Sequence, residues 1–273
     1  MFLIFSGCKT TGLETEYSAK APELSSEKTR FIFIRLYDPV YKNPFYAASF
    51  LKAGISSTEV SPLKLSHASM NLSLEDNFYA LTNAKERYDF KFEKCTDITT
   101  NGYMNKCNPD KSSQTTYAIA VSEEEYEKAK KILNLLMDRD VDTKYIAWQA
   151  IQMSGCAIRR KFFTNYEDRS LDYFTTPGGY ETCDIDFESK QITRKFICSN
   201  LVAFVLQMSV YEIQDYFLEN HINYKYIAIT DLAVLPGVHK LFSSSWTDYN
   251  QAAEKFVSEN PEFEAYFDAK DFS

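Results

Sequence analysis

Between Thr116 and Leu136 the chain changes its period once, and that change constrains the fold more than any other stretch. Thr116-Tyr117-Ala118-Ile119-Ala120-Val121 is apolar and rich in strand-favouring side chains. Ser122 follows, with Glu125 three residues on. A serine hydroxyl and a carboxylate at that spacing each satisfy a backbone N–H at a helix start, so the pair predicts a capping box. Beyond it Tyr126, Ala129, Ile132, Leu133 and Leu136 recur at helical spacing and make one apolar face. A strand running directly into an amphipathic helix leaves two apolar surfaces to cover, so the chain must build a sheet and a helical layer. The expected class is α+β.

Other segments fit this layout. Phe31 to Tyr37 reads as a strand closed by Asp38-Pro39, and Pro44 to Ala53 as a short helix ending at Gly54. Strands are expected near Leu63 to Leu72, Phe78 to Thr82 and Tyr88 to Phe92. A helix is expected from about Thr143 to Cys156, and after the Pro177-Gly178-Gly179 turn a strand or hairpin leads toward Cys198. The chain has 273 residues, 45% of them hydrophobic, which is enough for a sizeable core. With 19 Tyr and 21 Phe against 8 Gly and 8 Pro, that core is packed by aromatic rings with few hinges. One domain over residues 29–273 is expected.

Cys198 marks the chemistry. It stands where the strand-like Lys195-Phe196-Ile197 meets the amphipathic run Ser199 to Leu206, and so at a helix start. Unpaired backbone N–H groups and the positive end of the helix dipole favour the thiolate there. The competing role for such a cysteine is that of a small buried core residue. A nucleophilic thiol needs a proton acceptor, and of the three histidines only His67 lies in a strand-like segment. His221 and His239 fall in late, loop-like surroundings and read as surface or capping residues.

The segment S-H-A-S around His67, followed much later by F-I-C-S-N-L-V-A-F-V-L, resembles the circularly permuted branch of the NlpC-type, papain-like cysteine peptidases, in which the histidine strand precedes the cysteine helix. The likeness runs from about Arg30 to Pro236. S-L-E-D-N-F-Y-A-L-T resembles the family's acidic turn and aromatic strand, Y-A-I-A-V-S-E-E-E-Y-E-K-A-K-K-I-L its strand-then-helix unit, and T-K-Y-I-A-W-Q-A-I its helix opening with tyrosine. The stretch from Arg159 to Lys190 has no counterpart, and the resemblance implies insertions near 93–113 and 159–190. The resemblance implies a permuted papain-like fold, an antiparallel sheet or small barrel against a helical layer carrying the nucleophile. It further implies a thiol hydrolase acting on amide or ester bonds through Cys198 and His67, with the N–H of Cys198 in an oxyanion hole and with Ser199 and Tyr145 beside the pocket. Tyr145 is equally read as core.

The group that orients the histidine lies, in that family, on the following strand. Here that strand is Phe78-Tyr79-Ala80-Leu81-Thr82-Asn83, which holds no carboxylate. Thr82 or Asn83 is left for the role, and Asn71, on the same strand face as His67, is a poorer candidate. Relatives resembling lecithin:retinol acyltransferase use the same scaffold with an N-C-E-like motif where this chain has I-C-S-N, so a lipid-directed acyltransferase or esterase stands as an alternative. A catalytically weak relative that binds a wall fragment, a lipid or a protein is the other.

The net charge of −8 gives no basic field for a nucleic-acid backbone, and nucleic acid is not an expected partner. Met1-Phe2-Leu3-Ile4-Phe5-Ser6-Gly7-Cys8 reads as the tail of a bacterial lipoprotein signal, cut and acylated at Cys8, with translation beginning upstream of Met1. Residues 9–28 then form a polar tether behind a lipid anchor, the sole expected contact with a membrane. That placement, in the cell envelope, makes cell-wall peptides such as those of peptidoglycan the nearest substrate class; without the anchor the location would be cytoplasmic. Cys95 and Cys107 flank a turn-rich loop and are either a disulfide or two ordinary thiols. Neither Cys95 nor Cys107 has a close Cys or His partner at zinc-ligand spacing, so no structural metal is expected, and no cofactor is expected either.

Overall fold

Every side chain from Phe31 to Tyr37 is buried, and alternation sorts them onto two faces, each needing its own cover. The computed structural model of the chain describes residues 22, 24–38, 40, 42, 67–74, 78–83, 90–95, 107–137, 180, 198–227 and 229–267. The first strand, β1, spans Arg30–Asp38. It is joined by β2 (His67–Asn71), β3 (Phe78–Asn83), β4 (Phe90–Cys95), β5 (Ser113–Val121) and β6 (Val238–Ser245). The spatial order is β4-β3-β2-β1-β5-β6, and every neighbouring pair is antiparallel. The protein is therefore α+β with an antiparallel sheet.

Helix α1 (Glu123–Met137) starts at the expected capping box. The Ser122 N–H donates to Glu125 Oε2 at 2.8 Å, and the Glu125 N–H donates to Ser122 Oγ at 3.2 Å. Its apolar face, Tyr126, Ala129, Ile132, Leu133 and Leu136, is buried as the spacing requires. Helices α2 (Cys198–Ser209) and α3 (Tyr211–Glu219) join it on one side of the sheet. There they cover Ile32, Ile34 and Leu36 of β1, Ala68 and Met70 of β2, and Tyr117, Ile119 and Val121 of β5. Short 3-10 turns at Tyr224–Tyr226 and Thr230–Val234 close that layer.

The opposite side is covered too, where the sequence led us to expect a single helical layer. Helix α4 (Tyr249–Glu259), the 3-10 turn Pro261–Phe263 and helix α5 (Glu264–Phe267) pack on Phe31, Phe33, Ala118 and Ala120. The Phe263 ring stacks on Phe31 at a centroid separation of 4.5 Å, with Tyr266 edge-on to Phe31 at 5.5 Å. Phe263→Ala would cost about 3–5 kcal/mol at such a site. Arg35, in the middle of β1, is fully buried on this side with its guanidinium carbon 3.7 Å from the Tyr249 ring centroid, a cation–π contact.

Strand boundaries differ from expectation: β2 is His67–Asn71 within the expected Leu63 to Leu72, and β3 runs one residue past Thr82 to Asn83. β4 begins at Phe90 rather than Tyr88, and β5 begins at Ser113, earlier than Thr116. Ser113 starts the ladder because it pairs with Ser245 of β6, a partner distant in sequence. The helices expected over 44–53 and 143–156 and the hairpin before Cys198 lie outside the described residues. So do residues 1–21 and 23 of the leader and tether over 1–28, and all of the 159–190 insertion except Tyr180.

Candidate active site

Cys198 is the first residue of α2, where backbone N–H groups have no intrahelical acceptor. The apolar residues behind it, Leu201 to Leu206, are buried and dock the helix against the sheet. The docking brings the sulfur to β2. The N–H groups of Ala68, Ser199 and Cys198 itself are directed at the sulfur and favour its thiolate, but burial is the larger influence and pushes the thiol above its ordinary value. Cys198 keeps partial solvent exposure, while Ser199 and Asn200 beside it have none.

His67 opens β2, so the strand residue whose N–H faces the sulfur is its immediate neighbour. His67 is buried, and the loss of solvent lowers its pKa to about 4. Its ring packs on Tyr37, the residue paired with it on β1, with centroids 5.4 Å apart. The Tyr37 hydroxyl lies 2.9 Å from Ser69 Oγ, and Trp246 stands edge-on to the Tyr37 ring at 6.0 Å. Alternation places His67, Ser69 and Asn71 on the face shared with Phe33, Arg35 and Tyr37, and Ala68 and Met70 on the face under α2. The thiol thus meets β2 at its backbone, and the imidazole leaves that same backbone toward Tyr37. We had expected the histidine to reach the cysteine across the boundary between sheet and helices.

The electrostatics of the site disfavour an ion pair. Burial favours the neutral form of both groups, so the resting pair is thiol and imidazole rather than thiolate and imidazolium. A proton passing from sulfur to imidazole would have to cross from the α2 face of β2 to the Tyr37 face, and to do so as bond formation begins.

Other predicted site residues are distributed unevenly. β3 lies beside β2 with Met70 opposite Tyr79, and Thr82 stands three residues further along β3. Asn83 follows at the end of β3. Ser199 is fully buried, and its Oγ makes no hydrogen bond among the described residues. Asn71 is committed to its own turn, where Nδ2 donates to Ser73 Oγ at 3.0 Å and Oδ1 accepts from the Leu72 N–H at 2.8 Å. Tyr145 and Cys8 lie outside the described residues. Cys107 is buried, whereas Cys95 belongs to β4, which is described as backbone. His239 stands on β6 opposite Ala118, not in a loop, and His221 is exposed just beyond the end of α3.

Three groups at the site were not singled out from the sequence. Tyr37 is one; its pairing with His67 depends on strand register and leaves no local signal. The Ala68 N–H is another, since a backbone donor has no sequence signature. Asn200 does leave one, as an amide inside the apolar run after Cys198. Its Nδ2 donates to the carbonyl oxygens of Tyr224 and Lys225.

Among the described residues no group of three or more His, Cys, Asp and Glu is placed to hold a metal, and no helix is long and apolar enough to cross a membrane. Compared with family models, curated proteins and solved structures, the chain finds no match.

Proposed function

We propose that the chain is a thiol hydrolase of permuted papain-like type that cleaves amide or ester bonds with Cys198 as nucleophile and His67 as its proton partner. The observation that carries this reading is the position of the Cys198 sulfur, at a helix start and against the N–H of the residue after His67. In the proposed cycle the sulfur attacks the substrate carbonyl and gives its proton to the imidazole, which the cycle requires either to turn from Tyr37 toward the α2 face of β2 or to be reached through a bridging water. The oxyanion that forms is met by the backbone N–H of Cys198. The imidazolium then protonates the leaving amine or alcohol, and water hydrolyses the thioester to return the thiol. Thr82, on the neighbouring strand β3, is the candidate to orient the imidazole. The proposed substrates are peptides or acyl-bearing small molecules. Cell-wall peptides are the nearest class, for a protein tethered in the cell envelope by a lipid on Cys8.

A second reading draws on the neutral resting pair. A thiol pushed up and an imidazole pushed down suit a relative that binds an acyl or peptide ligand and turns it over slowly, if at all. Turnover separates the two. Hydrolysis of a panel of peptide amides and acyl esters is expected in the wild-type protein. It should be lost in Cys198→Ala, which exchanges small groups and keeps the fold at a cost of roughly 1 kcal/mol. Cys198→Ser should be severely impaired, because a hydroxyl ionises far less readily. Turnover unchanged in Cys198→Ala would assign the chemistry elsewhere.

A further inference from the structure

We infer that Asn200 is the positioning residue of the nucleophile: its side chain pins the first turn of α2 to the 3-10 turn at Tyr224–Tyr226 and so holds the Cys198 sulfur against β2. This inference rests on the proposed role of Cys198, but its test does not need turnover. Asn200 is two residues beyond Cys198 and fully buried. An amide is costly to bury unless its donors are used. Here Nδ2 spans two successive carbonyls, Tyr224 O at 3.2 Å and Lys225 O. The receiving turn is itself fixed. Asn223 Oδ1 accepts from the Lys225 N–H at 3.0 Å, and the Tyr224 ring packs on Phe204 of α2 at 5.4 Å. The helix is therefore tied to this turn in its first turn by Asn200 and again further along by Phe204. The tie at Asn200 acts on the N–H groups of Cys198 and Ser199 that face the sulfur.

Loss of this tie loosens the helix start, and water then reaches a sulfur that burial now holds in its neutral form. The N–H groups that favour the thiolate are loosened as well, but burial is the larger influence on the sulfur, so the net effect is a fall. In Asn200→Ala the pH midpoint for alkylation of Cys198 should fall, while any acyl transfer that depends on the aligned sulfur should also fall. A drop of about one pH unit would raise the thiolate fraction about tenfold at neutral pH. The lower nucleophilicity of the more acidic thiol takes back part of that, leaving a rise of about threefold in alkylation rate.

The experiment follows iodoacetamide alkylation of Cys198 against pH by peptide mass spectrometry, in wild type, Asn200→Ala and Val205→Ala. Val205 is buried in the middle of α2, so its truncation destabilises the same helix away from the sulfur. A lowered midpoint in Asn200→Ala with an unchanged one in Val205→Ala supports the inference. An unchanged midpoint in folded Asn200→Ala overturns it, as does an equal shift in both variants. Should the alanine variant not fold, Asn200→Ser retains one donor and is expected to show a smaller shift in the same direction; no shift there is again refuting. Absent turnover in the wild type, with the alkylation midpoint still moved by Asn200→Ala, would reject the hydrolase reading and leave the positioning role standing.

Discussion

Glu125 joins two helices that are distant in sequence, and removing it should expose how much of the fold depends on one carboxylate. Its Oε2 accepts the Ser122 N–H at 2.8 Å and closes the capping box of α1. Its Oε1 accepts the Tyr211 N–H at 2.7 Å, at the start of α3, where the preceding residue Val210 offers no side-chain cap. Hydrogen bonds to a charged group contribute about 1.5–3 kcal/mol each, so Glu125→Ala loses two and leaves two helix-start N–H groups without their acceptor. Both sites are only part-buried, so water recovers some of that loss. The expected cost is about 3 kcal/mol, including the lost interaction with two helix dipoles. In a domain of this size that lowers the Tm by about 6–12 °C. Glu125→Gln keeps one acceptor oxygen but turns an amide N–H₂ toward the other donor, so it should fall between the two. Urea unfolding followed by circular dichroism, with calorimetry for Tm, measures both variants. A cost under about 1 kcal/mol for Glu125→Ala, or a glutamine variant as stable as wild type, would refute the double cap.

Two further outcomes follow from individual side chains. His67 ionises less readily in the folded chain than in the unfolded one, from an ordinary 6.5 down to about 4, so its stabilising effect is complete above about 6.5 and is lost as pH falls toward 4, because the unfolded chain takes up the proton first. Stability should drop by about 3 kcal/mol across that window, and urea midpoints in His67→Gln should lack that part of the slope; an identical slope in both proteins would show that the imidazole is not buried neutral. At His221 the backbone has a φ of 55°, left-handed geometry that a Cβ disfavours, so His221→Gly should raise stability by about 0.5–1 kcal/mol in thermal melts, and a loss would mean that the imidazole makes a contact that outweighs the strain.

What could be read from the sequence was local. The capping box at Ser122 and Glu125, the apolar face of α1 and the start of α2 at Cys198 all depend on residues within one or two turns, and each is where its spacing put it. The bounds of β1 were also legible, because Asp38-Pro39 stops a strand. The arrangement of the sheet was not. β1 lies between β2 and β5, and β6 joins β5 from far along the chain, so neither the Tyr37–His67 contact nor the earlier start of β5 has a local signature. Arg35 illustrates the same limit. A charge in Phe-Ile-Phe-Ile-Arg-Leu-Tyr suggests a solvated position, but Tyr249, more than two hundred residues away, covers it. The helix face of Tyr249, Ala253, Phe256 and Val257 was legible by its period and was passed over, and with it the cover on the second side of the sheet. At the site, the sequence pointed to Cys198 and His67 but not to their protonation states, which follow from tertiary burial.

The central claim, that Cys198 attacks acyl carbonyls with His67 as proton partner, is tested most directly by trapping the acyl-enzyme. The protein is mixed with an activated acyl ester, quenched in acid on a short timescale, and mapped by peptide mass spectrometry. The account predicts a single thioester on Cys198 whose formation falls at least about a hundredfold in His67→Ala, the scale of general acid–base assistance, while iodoacetamide still alkylates Cys198 in that variant. Acylation of Cys198 at the same rate with and without the imidazole, or an adduct on another residue, would contradict it.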